Sequence, residues 1–401
     1  MNNITPNAKV NKARRLYKLN KFEKAESVYR ELFLENRELL SSIDEKRFIE
    51  SIRISHIKNG QTDDELAFYG NFVYENFSQV DCSNRNYIDP FADLLLELAK
   101  KHYEDNNHYE SIKWTYRLKE DYLSNKARKN MRNNNLNYSH REKWHVRMVK
   151  SLMGLKKYND ALKFAFRLLN DLPDTGSDAK YWIKFDIAKI YYELEAYDLS
   201  IEYLNELLSV RKENYFFKWL AENYLAKEDY ENALVNGITY VQVKKDIPSC
   251  VNFFVTIGDI LNKLGYDEAM DHYYLAYSIK KARGYFIQYD LEQKIMDSDR
   301  DLDLNNTNYK KLVKDLKPFW NRIIYSNREQ FTGTICYVRQ DGEFGFITPD
   351  AGGENQYFSF RDFKDDKDFI WNDMRVSYYI EDSFDSIKGK ESTRAVNVEL
   401  I

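Results

Sequence analysis

Two short aromatic motifs near the C-terminus of the 401-residue sequence have the residue types and spacing to stack on flat ligands. Phe344 and Phe346 flank Gly345 in Glu343-Phe344-Gly345-Phe346-Ile347, and Phe358 and Phe360 flank Ser359 in Tyr357-Phe358-Ser359-Phe360. Side chains alternate across a strand, so Phe344 and Phe346 share a face, as do Phe358 and Phe360. Two neighbouring strands would then present four phenylalanines on one surface. That surface is either the core of a small barrel or an outward platform. Ile347, Val376, Val396 and Val398 supply aliphatic core material, and Gly345 leaves the opposite face of its strand small. Composition alone leaves both readings open.

A second chemistry is cationic. Between Ser124 and Lys150 run Lys126, Arg128, Lys129, Arg132, Arg141, Lys143, Arg147 and Lys150 against Glu142 alone, a net of +7. Interleaved with asparagines, Tyr138, His140 and Trp144, this stretch is a candidate phosphate-tracking surface. The competing reading is a solvated helix-loop-helix whose cations pair with acids elsewhere. If about four cations met single-strand phosphates, binding would fall with salt on a log-log slope near −3.

Catalytic patterns are missing. The 14 glycines form neither a phosphate loop nor a dinucleotide fingerprint. His140 and His145 are five apart rather than four, and Glu142 is not in an HExxH frame. No nucleophile stands at a recognisable distance from a base. The three cysteines, Cys82, Cys250 and Cys336, lie too far apart for a metal knuckle or a CxxC pair. No catalytic residue, metal or cofactor is expected, and the chain is expected not to be an enzyme. The N-terminus has no apolar signal core, and no run approaches the roughly 18 apolar residues of a membrane span. With a net charge of −4 and free thiols, the expectation is a cytoplasmic protein.

The elements that must position these residues fall in two textures. Up to about residue 325, aromatic and aliphatic residues recur three or four apart. A pattern of an aromatic followed three residues later by a small or apolar residue recurs at Phe22/Ala25, Tyr109/Ile112, Tyr158/Ala161, Tyr197/Ser200, Tyr230/Ala233 and Tyr266/Ala269. The last four are 39, 33 and 36 residues apart, the period of a helix-pair solenoid. Over 214–240 the pattern resembles tetratricopeptide repeats: Phe217, Leu220, Ala221 and Tyr224 fill one helix, and Tyr230, Ala233 and Gly237 the next. Five or six units are expected, with 35–100 fitting least and 291–325 capping the array.

After a polar link at 326–330, residues 331–401 read as five short strands with turns at Asp341-Gly342, Gly352-Gly353 and Lys388-Gly389. This order of strands and aromatic motifs resembles the cold-shock domain, an OB-type barrel, along nearly all of 331–401. The resemblance implies an outward stacking set for bases of single-stranded RNA or DNA: Tyr337, a Trp in the usual pattern, then Phe344, Phe346, Phe358 and Phe360, the last usually a His. Ile335 in the core and Tyr337 outside share parity, which requires a bulge or sharp twist. Where the family commonly has Lys and Gly the sequence has Gly342 and Glu343, and Arg361 replaces a frequent aromatic. The segment carries 8 Lys and Arg against 14 Asp and Glu, a net of −6, a poor footprint for gripping phosphates. Binding by the barrel alone is expected to be on the order of micromolar or weaker.

The expected molecule is multidomain and mainly α: a tetratricopeptide-like array over 1–325, a linker at 326–330, and a five-stranded antiparallel cold-shock-like barrel over 331–401. Its expected function is that of an adaptor, holding single-stranded nucleic acid (RNA favoured) on the barrel and a protein partner on the repeats, in RNA regulation or bacterial defence. The alternatives are a pure protein-interaction scaffold and, further off, a nuclease or effector subunit with its chemistry within 35–140. The oligomeric state is not encoded in any motif.

Overall fold

The computed structural model describes residues 5–59, 62–83, 89–129, 136–244, 246–298, 300, 302–305, 308–326, 328–339, 343–364, 370–385 and 390–401. The chain divides into two compact units, residues 1–212 and 213–401.

The first unit is built from α1 (Pro6–Lys18), α2 (Phe22–Glu35), α3 (Ser42–Ile52), α4 (Asp63–Asn76), α5 (Pro90–Glu104), α6 (His108–Tyr116), the two-residue strands β1 (Arg128–Lys129) and β2 (Leu136–Asn137), α7 (His140–Gly154), α8 (Tyr158–Asn170), α9 (Ala179–Glu193) and α10 (Tyr197–Val210). Helices pair α1 with α2, α5 with α6, α7 with α8 and α9 with α10 around one continuous apolar core. The second unit continues the same construction with α11 (Asn214–Ala226) against α12 (Tyr230–Val243) and α13 (Val251–Leu264) against α14 (Ala269–Arg283). It then adds α15 (Tyr289–Met296) and α16 (Tyr309–Tyr325).

The recurring aromatic-to-small pattern marks the first turn of the second helix in each of these six pairs. Ala25, Ala161, Ser200, Ala233 and Ala269 are buried there, where a larger side chain would hold the partner helix off. The tight turn before it places one residue in the left-handed region: Asn20, Asn106, Lys156, Glu195 and Glu228 at φ 57° to 60°, and Gly265 at φ 75°. A non-glycine residue held there costs about 1–2 kcal/mol. Glu195→Gly and Glu228→Gly, both at exposed positions, should therefore each raise stability by about 0.5–1 kcal/mol in urea titrations. Unchanged or lowered midpoints would refute this reading of the turn. The poorly fitting region departs for a visible reason. There α3 runs into a π-helical turn, Arg53–Ile57, before α4 begins, and the pairing geometry is interrupted.

The barrel consists of β3 (Phe331–Val338), β4 (Phe344–Pro349), β5 (Gln356–Ser359), β6 (Arg375–Asp385) and β7 (Lys390–Leu400), closed in the order β3-β4-β5-β7-β6. Every pairing is antiparallel except β5 with β7, which is parallel. A five-stranded Greek-key barrel of this order is the OB-fold. Its core is Ile335, Ile347, Phe358, Phe360, Phe363, Val376, Tyr378, Ala395 and Val398. Gly352 and Gly353 take positive φ in the loop before β5. The turns at Asp341-Gly342 and Lys388-Gly389 lie outside the described residues.

Candidate nucleic-acid interface

Register decides which rings face out. The ladder between β4 and β5 pairs Phe346 with Tyr357 and Gly345 with Phe358, and residues paired across a ladder share a face. Phe346 and Tyr357 are thus on the outside, while Phe358 lies inside over Gly345. A Cβ on Gly345 would come within 2.6 Å of the Phe358 ring and 2.7 Å of the Tyr337 carbonyl oxygen, so only glycine admits the ring. Phe360, in the single turn after β5, stacks on Phe358 with centroids 5.9 Å apart, and both are buried.

The expectation that Phe358 and Phe360 belong to the stacking surface is therefore corrected. Their register places them in the core, and the outward ring of β5 is Tyr357. The glycine carried the missing signal, because a strand residue without a side chain on the inner face asks for a large ring opposite it.

Tyr337, Phe344 and Phe346 are placed together as expected. Ile335 pairs with Ile347 and Tyr337 with Phe346, so Cys336 is the extra residue of a bulge that turns Ile335 in and Tyr337 out. The four outer rings form one cluster. Tyr337 lies 6.5 Å from Phe344 and 6.1 Å from Phe346, and Tyr357 lies 5.4 Å from Phe344 and 5.9 Å from Phe346. Tyr337 is 48% exposed and Tyr357 37%, with the two phenylalanines half-buried between them. The Arg339 guanidinium sits 5.2 Å from the Phe344 centroid and 3.9 Å from the Glu343 carboxylate at the edge of this face.

The 124–150 stretch is organised differently from the expected phosphate surface. Arg141 donates to Glu120 at 3.0 and 3.1 Å, and His145 and Arg167 meet the same carboxylate at 2.9 and 2.8 Å. Burial pushes the Glu120 carboxyl up, but His145, then Arg141 and Arg167, reverse this and hold it at about 2. Lys143 lies 3.8 Å from Asp93, and Arg147 packs its guanidinium 4.7 Å from the Tyr103 centroid. Trp144 is buried and donates to the Thr115 carbonyl at 2.9 Å, and His140 meets Asp93 at 3.0 Å. Arg141, Lys143 and Arg147 are thus committed within the fold, which corrects their assignment to a ligand surface. Lys126 is exposed. Arg132 and the side chains of Arg128 and Lys129 lie outside the described residues.

An open concavity of about 380 Å³ lies between α4 and α6, lined by Tyr74, Tyr109, Ile112, Lys113, Tyr116 and Arg117. Arg117 lies over the Trp114 and Tyr74 rings at 3.9 and 4.6 Å and donates to Asn71 at 2.8 Å. Among the described residues no group of three or more His, Cys, Asp or Glu could hold a metal ion, and no helix is long and apolar enough to cross a membrane.

No protein-family model matches the chain, and no curated protein matches its sequence. Solved structures similar to it include MamA residues 41-end from Desulfovibrio magneticus RS-1, at 13% identity and a TM-score of 0.38, covering 48% of this chain and 96% of that one. The apo form of RapI gives 13% and 0.39, covering 71% and 100%. The Cut9-Hcn1 hetero-tetramer of APC/C gives 12% and 0.37, covering 81% and 57%. Likeness at these scores assigns neither partner nor activity.

Proposed function

We propose that the protein is a non-enzymatic cytoplasmic scaffold that holds single-stranded nucleic acid, RNA in the favoured form, on the outer ring cluster of its barrel and a protein partner on its helical array. The observation that supports this is the contiguous outward cluster of Tyr337, Phe344, Phe346 and Tyr357, kept out of the core by a bulge on one strand and by register on the other. Rings left in water at such a structural cost suit a ligand with flat apolar faces. Each stacked base contributes roughly 1–3 kcal/mol. The strand order and the placement of three of the five expected rings agree with the cold-shock resemblance. On the array, the tyrosine-lined concavity with Arg117, beside the Lys113–Glu110 ion pair, offers an aromatic seat for a partner.

A pure protein-interaction scaffold is the second reading, and the net charge of −6 over 331–401 favours it. Anisotropy of a labelled unstructured 12-mer, as RNA and as DNA, separates the two. Tyr337→Ala/Phe346→Ala/Tyr357→Ala should weaken binding by about tenfold or more with the barrel still folded. Absence of binding by the wild type at tens of micromolar in low salt would overturn the nucleic-acid role and leave the protein scaffold.

A further inference from the structure

A barrel of net −6 grips phosphates poorly, so a neighbouring cationic surface would strengthen its hold on a single strand. The 124–150 stretch commits Arg141, Lys143 and Arg147 elsewhere. A different cationic surface lies in the same compact unit as the barrel. α16 buries Val313, Leu316, Phe319, Trp320 and Ile323 and turns Lys310, Lys311, Lys314 and Lys317 outward. None of these four lysines is in an ion pair among the described residues. Asp315 is the one acid exposed among them. At and just before the start of α14, which packs against α16, Asp271 is taken by Arg300 at 2.6 Å and Glu268 by Arg322 at 2.8 Å. What remains outward is a cationic stripe.

The C-terminal end of α16 packs against the barrel on a path that leads to the ring cluster. At the end of α16, Tyr325 stacks on Tyr379 of β6 with centroids 4.6 Å apart and planes at 20°. Arg328 reaches Glu381 at 3.4 Å, and Glu381 also holds Arg394 of β7 at 3.3 Å. Arg394 is in register with Tyr357, the outward ring of β5. At a rise of 1.5 Å per residue, Lys317 and Lys310 lie about 12 and 22 Å along the helix from Tyr325.

We propose that the outward lysines of α16 carry the phosphates of the same single strand whose bases stack on Tyr337, Phe344, Phe346 and Tyr357, so that one binding site spans helix and barrel. It rests on the stacking role proposed above. Bases then go to the barrel and phosphates to the helix, which supplies the charge contacts that a barrel of net −6 lacks.

The test uses the full chain with labelled unstructured RNA of 20 and of 4 nucleotides over a range of salt. Replacing Lys310, Lys311, Lys314 and Lys317 by Gln should weaken 20-mer binding by about tenfold or more at low salt and flatten the log-log salt slope by up to about 3. The 4-mer, too short to reach both surfaces, should bind as before, and the fourfold Lys→Arg variant should behave as wild type. Unchanged 20-mer affinity and slope, in a protein whose ring variants lose binding, would overturn the helix role and leave the stacking role standing. Failure of the Lys→Arg variant to restore binding would overturn it too. A wild type that binds neither length would overturn both.

Discussion

Phe358→Ala lowers the stability of the barrel by about 3–5 kcal/mol, whereas Tyr357→Ala, one residue earlier, changes it by no more than about 1 kcal/mol. Phe358 is fully buried, stacks on Phe360 and fills the hollow over Gly345, so its removal leaves a cavity that the backbone of β4 cannot close. Tyr357 touches Phe344 and Phe346 from the solvent side and leaves no cavity. Hydrogen exchange of the β4 and β5 amides reads the difference: protection should fall by about a hundredfold to a few thousandfold in the first variant and hardly at all in the second. Nucleic-acid binding should fall in the second variant with the fold intact. Equal destabilisation by the two changes would mean that the register derived for β5 is wrong.

The second unit should lose about 3 kcal/mol between pH 6.5 and pH 4 through one side chain. His272 is buried, donates from Nδ1 to the Glu268 carbonyl at 2.8 Å and accepts at Nε2 from the Trp320 indole N–H at 2.8 Å. Both ring nitrogens are therefore engaged by the neutral form, and burial pushes the group down to about 4. The unfolded chain takes up its proton near pH 6.5, the folded one only near 4. Stability is thus fully present above 6.5, falls as pH drops through this window, and levels off below it. Urea midpoints followed by tryptophan fluorescence at pH 7 and 4.5 should show the loss. His272→Gln, which keeps a donor and an acceptor without a titrating group, should flatten it. A slope that persists in His272→Gln would exclude this assignment. Burial pushes the Asp271 and Asp362 carboxyls of the same unit up, so their contributions run the opposite way as pH falls, and the comparison with His272→Gln isolates the histidine.

What could be read in the sequence was what repeats or alternates. The aromatic-to-small pattern locates the second helix of six pairs, because burying a small residue at a helix crossing leaves a periodic mark. The bulge at Cys336 was legible because Ile335 and Tyr337 make incompatible demands on one strand. The face of β5 was not legible, since parity along one strand fixes faces only relative to its own residues, and the pairing that ties Tyr357 to Phe346 is a contact between strands. The basic stretch misled for a related reason. Its one local acid, Glu142, caps its own helix, while the acids that take Arg141 and Lys143, Glu120 and Asp93, stand 21 and 50 residues upstream. Long-range ion pairs leave no local trace.

The covering of the last helix pair by α16 also bears on assembly. A stack of helix pairs that leaves an apolar face bare is a monomer with a sticky end, and head-to-tail addition through such a face repeats without closing, as a fibre does. By burying Phe319 and Trp320 and presenting lysines instead, α16 turns that growing end into a charged terminus. A further copy adding through that face would first have to displace α16.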